Sequence, residues 1–307
     1  MKKLLFCLLH AAGVTKISAW WFRKRTIFLC YHGVTARPQR SPEDPKGLHV
    51  NAERFAQHLD FLQTHYRLVS LGDYLRAQRE GRPLPYYSVV MTFDDGFRNF
   101  LTVAAPMLAA RNIPATVFLI TDKAGEKTEE QPESDWTPED DWRYLSWKEA
   151  RLLQQTEIFE FGSHTCSHPA LLTLSTADSR HELQHSYYDL VRNLGVESPT
   201  LSYPKGQYSN LLAEAAREVG YACALTTDRG ANELDHDLFT LGRALIGDFD
   251  DKASFAVRVS GLRWTLVRLL GLIWPSRVTP PVPQSGKVQD PLADDYCEVG
   301  EIYEVPN

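Results

Sequence analysis

Residues 87–97 read YSVVMTFDDGF, an apolar, strand-like run that stops on two adjacent acids. Outward from it, β-rich runs recur at 26–32 (TIFLCYH), 67–71 (RLVSL), 115–120 (ATVFLI), 158–163 (IFEFGS), 200–204 (TLSYP), 221–227 (YACALTT) and 239–246 (FTLGRALI). Helical periods lie between them. Phe55, Leu59 and Leu62 follow the capping residue Asn51 at i, i+4, i+7, and Leu183, Tyr187, Leu190 and Leu194 run up to Gly195, a natural stop. Such alternation predicts an α/β fold with a parallel sheet, and seven or eight units suggest a barrel. Function is then expected at the C-terminal ends of the strands.

Composition narrows the partners. The 307 residues, 43% hydrophobic, suffice for one large domain. A net charge of −6 without a long basic run excludes the concentrated cationic footprint that nucleic acid requires. Cys7, Cys30, Cys166, Cys223 and Cys297 are scattered with no CxxC spacing, so neither a disulfide framework nor a cysteine metal site is indicated.

Polar residues gather at the predicted strand ends. His32 follows the first strand, Asp94 and Asp95 follow the 87–93 run, His164 and His168 follow 158–163, and Pro204–Lys205–Gly206 follow TLSYP. Taken alone, DDG reads as a turn and HxxxH as two surface imidazoles. Directly after strands, Asp plus His plus His is a metal set. A cation also makes two neighbouring carboxylates tolerable: one binds it, and the other is free to take a proton from a water that the ion acidifies.

TFDDGF (92–97) and SHTCSHP (163–169) resemble the first two motifs of the polysaccharide deacetylases of the carbohydrate esterase family 4 type. YPKGQY (203–208), YACALTTDRGAN (221–232) and LGRALI (241–246) resemble its later blocks. LCYHGV (29–34) is similar to the start of an exopolysaccharide deacetylase-like subgroup. The resemblance covers roughly 26–247 and implies a distorted (β/α) barrel of about seven parallel strands. It also implies hydrolysis of N-acetyl groups on an amino-sugar polymer or oligosaccharide. Asp95, His164 and His168 would hold a divalent metal, zinc first with nickel or cobalt as alternatives, and Asp94 would be the general base. Lys205, through a nearby backbone N–H, Tyr203 and Arg243 are assigned to the oxyanion or the substrate.

Two positions depart from the family pattern. Ser202 stands where an arginine that tunes the base is usual, and Arg243 where a histidine acid is usual. Arg243 is expected to pair with Asp94 in place of the missing arginine. His32 is the preferred acid, with a pKa raised by its neighbours, and His236 is the runner-up. A catalytically impaired sugar-binding protein on the same fold is the alternative reading.

The remaining segments are expectations of organisation. Residues 1–25 read either as a secretory signal ending near Ser18–Ala19 or as an amphipathic helix that packs on the domain or lies on a membrane surface, which leaves the compartment open. The catalytic barrel is expected over 26–250, an amphipathic helix over 251–277, and a disordered tail over 278–307. The acidic stretch 121–147 is too long for an ordinary connection, and Trp136, Trp142 and Tyr144 are candidates to stack on sugar rings.

Overall fold

The computed structural model describes residues 2–36, 44, 46–125, 142–228 and 231–266. Two helices, α1 (Lys2–Ala11) and α2 (Val14–Phe22), precede β1 (Thr26–Tyr31), β2 (Gly33–Thr35) and β3 (His49–Asn51). The chain then alternates through α3 (Ala52–His65), β4 (Arg67–Leu68), α4 (Leu71–Glu80), β5 (Ser88–Phe93), α5 (Ala105–Ala109), β6 (Ala115–Leu119) and α6 (Thr121–Gly125). It continues through α7 (Trp147–Gln154), β7 (Phe159–Ser163), α8 (Thr176–Leu194), β8 (Leu201–Ser202), α9 (Asn210–Val219) and β9 (Ala224–Leu225), ending in β10 (Ala231–Asn232), β11 (Ala244–Leu245) and α10 (Lys252–Val259). Asn51 caps α3 by accepting the Glu53 N–H, and Gly195 closes α8 in the left-handed conformation.

The sheet runs β10-β1-β5-β6-β7-β8-β9, parallel except for β10, with β4 beside β5 and β11 beside β1. Residues 238–246 span the gap between its ends. Their first half bonds β9 (Ala224 N–H to Leu238 O, Leu241 N–H to Ala224 O), and their second half pairs with Leu29 and Cys30 of β1. The segment predicted as one strand, 239–246, is thus a seam, regular only at Ala244–Leu245. The Asn232 amide clasps it by exchanging two 2.9 Å hydrogen bonds with the Gly242 backbone.

Period-two register sorts the sheet residues. Val89, Met91 and Phe93 join Leu29, Tyr31, Phe55 and Leu59 in the layer between strands and helices. Val90 joins Phe28, Phe118, Leu225 and Leu241 inside the barrel, where Leu71 and Tyr74 of α4 plug the end at which the strands start. Each such fully buried side chain contributes roughly 1.5–3 kcal/mol. The predicted strands at 200–204 and 221–227 shrink to two residues each. In return, β2–β3 and β10 appear where no strand was expected. The proposed helix at 251–277 begins as α10, and its residues from 267 on, like the tail, lie outside the described residues.

Candidate active site

After Val90 and Thr92, the next inward position of β5 is Asp94, which is buried at the rim of the barrel. Arg243, fully buried in the seam, forms a two-pronged ion pair with it: Nη1 to Oδ1 and Nη2 to Oδ2, both 2.7 Å. The same guanidinium donates to Thr226 O, Thr92 Oγ1 and Ser202 Oγ, so β5, β8 and β9 converge on it. Ser202 Oγ and Cys30 Sγ donate to Asp94 Oδ2 as well. Burial by itself raises the Asp94 pKa, but Arg243 and His164 override it and hold the carboxyl well below the usual carboxylate range.

Asp95 has the opposite environment. It lies in the left-handed region at φ 69°, and Gly96 follows at φ 73° with its Cα packed against Leu119. Burial and the charge of Asp94 push Asp95 up to about 7. His164, just past β7, donates from Nδ1 to Ser202 O at 2.8 Å, which leaves Nε2 unprotonated when the ring is neutral. That Nε2 lies 3.5 Å from Asp95 Oδ1, and His168 Nε2 lies 3.7 Å from the same oxygen. Burial pushes His164 down to about 4, so the ring is neutral near pH 7.

These separations are too long for good hydrogen bonds and close to the edge of about 3.4 Å expected of a tetrahedron with bonds near 2.1 Å. Lone pair facing carboxylate is repulsive unless a cation lies between them. One ligand atom from each of Asp95, His164 and His168 falls within 4.8 Å of the others. The donor set therefore fits a divalent ion such as zinc. Backbone strain gathers here too: of the seven non-glycine residues with positive φ among the described residues, Asp95, Thr165, His168 and Lys205 all belong to this rim.

His32 comes to the same rim, within electrostatic range of Asp94, His164 and His168. Its expected upward shift is overturned: burial, only partly offset by Asp94, pushes the imidazole down to about 4. His32 Nδ1, His49 Nε2 and both amide atoms of Asn99 are buried without a hydrogen-bond partner, while His49 Nδ1 faces Asp44 Oδ2 at 3.5 Å. His49 and Asn99 pack on the Cα of Gly33, the residue after His32, and Asp44 accepts the His49 N–H at 2.7 Å. Sequence reading missed this polar group, because His49 and Asn99 belong to no spaced pattern.

Other expectations divide. Lys205 reaches the rim at φ 58°, in a turn where Gly206 and Gln207 donate back to Tyr203 O and Pro204 O. Tyr203 is a correction. Its N–H is bonded to Leu225 O, its hydroxyl to Phe239 O, and its ring lies in the core against Tyr208, so it offers nothing to a substrate. His236 bonds Thr240 O near Glu233, which pairs with Arg25 ahead of β1, at the wrong end of the barrel for an acid. Trp142 lies 4.4 Å from the His49 ring and Tyr144 stacks on Phe97, pinning the end of the acidic stretch beside the paired acids. Trp136 lies outside the described residues.

The polysaccharide deacetylase family model matches residues 81–224. Poly-beta-1,6-N-acetyl-D-glucosamine N-deacetylase of Escherichia coli (strain K12) is 22% identical over 270 residues, covering 78% of this chain but 39% of that protein. The Staphylococcus epidermidis protein of the same name is 25% identical over 212 residues, covering 66% and 70%. Among solved structures, Streptococcus pyogenes deacetylase PplD in complex with acetate aligns with a TM-score of 0.65 at 24% identity, over 76% of this chain and 98% of that one. IcaB from Ammonifex degensii aligns at 0.63 and 23%, over 77% and 97%, and both likenesses speak to the fold. The family model thus marks residues 81–224 as a polysaccharide deacetylase domain.

Proposed function

We propose that the protein is a metal-dependent hydrolase that removes N-acetyl groups from the amino sugars of a polysaccharide. The observation that carries this reading is the buried Arg243–Asp94 pair set directly against the Asp95–His164–His168 group. One acid is kept ionised by an arginine while its neighbour faces two imidazoles. The names of the Escherichia coli and Staphylococcus epidermidis relatives support a polymer of N-acetylglucosamine as the substrate class. The chain spans 39% of the Escherichia coli relative, so this carry-over concerns the deacetylase region alone.

A divalent cation held by Asp95, His164 and His168, zinc by ligand preference, would supply polarisation of the acetyl carbonyl and a more acidic water. Asp94 takes the proton of the attacking water. The water oxygen joins the carbonyl carbon, the C–N bond breaks, and His32 hands a proton to the departing amine. With its pKa pushed down to about 4, His32 is neutral in the resting site near pH 7, so the proton it hands on is the one Asp94 has taken from the water, and Asp94 is the neighbour that favours its charge. The backbone N–H of Lys205 itself donates to the developing oxyanion, a role worth about 3 kcal/mol in comparable sites. The alternative, a sugar-binding protein without turnover, rested on Ser202 and Arg243. It is disfavoured because the small Ser202 leaves room for the guanidinium that arrives from the seam and restores an arginine to Asp94, while His32 remains at the rim as the acid.

The test is metal analysis together with acetate release from N-acetylglucosamine oligomers under defined zinc, nickel or cobalt. His164→Ala/His168→Ala and Asp95→Asn should lose stoichiometric metal. Asp94→Asn should keep it and lose turnover by about 10²-fold or more, the scale of general base catalysis. Full metal content in the double variant, or no acetate release with any of the ions, would overturn the reading.

A further inference from the structure

Helices α1 and α2 are packed inside out. α2 buries Thr15 and Ser18, with Ser18 Oγ donating to Ser260 O at 2.9 Å, and sets Phe22 against Gly261 and Trp264. Its outward face is Ile17, Trp20 and Trp21, spaced i, i+3, i+4, with Trp21 76% and Ile17 68% exposed. α1 extends the face with Leu4, Leu5 and Leu8, and Tyr86 stands beside it. A water-facing helix shows the reverse arrangement. An apolar face of this kind on a folded body marks a surface that something covers.

Charge identifies the cover. Residues 1–42 contain Lys2, Lys3, Lys16, Arg23, Lys24, Arg25, Arg37 and Arg40 and no acid, in a chain whose net charge is −6. Arg23 lays its guanidinium over Trp20 at 4.1 Å and lies 5.7 Å from the Tyr86 ring, joining cation and aromatic in one patch. Tryptophan, leucine and lysine together suit the boundary between headgroups and acyl chains. No single described helix is long and apolar enough to cross a bilayer, and α1 and α2 meet at a 77° bend. We propose that this face docks on an anionic phospholipid bilayer, with the helix pair lying in the interface. The docked end is the one at which β1 and β5 begin, since Tyr87 N–H donates to Arg23 O. The rim with Asp94 and Asp95 then faces away from the lipid, toward water. The proposal does not rest on the functional reading above.

The full chain would be mixed with vesicles of phosphatidylcholine alone, or with one third phosphatidylglycerol, and separated by flotation at low and high salt. Flotation with the anionic vesicles, reduced by salt, is expected. Trp20→Ser/Trp21→Ser and Lys16→Glu/Lys24→Glu should each weaken it about tenfold or more, since both apolar insertion and charge contribute. All four residues are far from the rim, so metal content should not change in either variant. Four outcomes would overturn the proposal: no flotation with either vesicle; flotation indifferent to both variants; self-association through this face in the absence of lipid; or a membrane-bound form that only detergent extracts, which would mean a spanning segment.

Discussion

Asp94 and Asp95 are chemically identical neighbours, and the backbone separates them. Asp94 continues the inward register of β5 into a guanidinium, whereas Asp95 turns through a left-handed conformation toward two imidazoles. Replacing Arg243 would leave the Asp94 carboxylate buried and unpaired, so Arg243→Met should cost about 3–5 kcal/mol by urea denaturation at pH 7. The sign with pH follows from the lowered pKa of Asp94. Its pairing stabilises the fold above the ordinary carboxylate value near 3.9 and is lost as pH falls through the lower folded value. The gap between wild type and variant should therefore narrow in strong acid, and a gap independent of pH would deny the pair its role. For His32 the check is the leaving group. His32→Gln should slow acetate release from N-acetyl sugars by about 10²-fold. It should largely spare 4-nitrophenyl acetate, whose phenolate departs without a proton, at unchanged metal content. Equal losses on both substrates would remove His32 as the donor.

At the scale of elements, the seam decides whether the site exists. Arg243 lies between a half that bonds β9 and a half that pairs with β1, and the Asn232 amide holds the joint by imitating a peptide group. Asn232→Ala would strip partners from a buried N–H and a buried C=O of Gly242, a cost of about 2–4 kcal/mol. Because Arg243 is the next residue, acetate release should fall further than the fraction folded, and loss of stability with full specific activity would show that the seam does not position it. Much of this was legible beforehand for a physical reason. β5 and β6 bury both faces and so read as largely apolar runs, β7 alternates apolar residues around the half-buried Glu160, and DDG and HxxxH follow β5 and β7 at fixed offsets. The seam and β8–β9 were legible as apolar segments, but their short ladders depend on bonds such as Thr226 N–H to Leu241 O that no local pattern encodes. The β2–β3 pair brings Gly33–Thr35 to His49–Asn51 across an intervening stretch, and with it His49, its Nε2 without a partner, beside His32. Tyr203 was misjudged because a motif tyrosine next to Lys205 suggests the rim, while alternation along β8 sends its ring into the core.

Across the whole molecule, the barrel is tied to α10 and the amino-terminal helices through a buried imidazole. His58 of α3 bonds Asp250 O from Nε2 at 2.8 Å, meets the Tyr31 hydroxyl at Nδ1 and stacks on Phe255 of α10 at 3.9 Å. With the carbonyl as acceptor, Nε2 carries the proton and Nδ1 accepts from Tyr31, so a second proton would break a bond. Burial accordingly pushes His58 down to about 4. An imidazole in the unfolded chain titrates near 6.5, so between these values the unfolded state holds a proton that the native state refuses. Stability is then fully present above about pH 6.5 and declines toward pH 4, by about 3 kcal/mol from this residue alone. His32 and His164 are lowered in the same direction, but both lie at the Asp95–His164–His168 group, so His58 offers the clean measurement. Urea denaturation of wild type and His58→Phe should be followed from pH 7.5 to 4.5, comparing the slopes of unfolding free energy against pH. The variant starts lower, having lost two hydrogen bonds, yet its slope should be shallower by up to one proton across the window. Parallel slopes would mean that His58 is protonated in the folded state and that the joint between α3 and α10 does not sense pH.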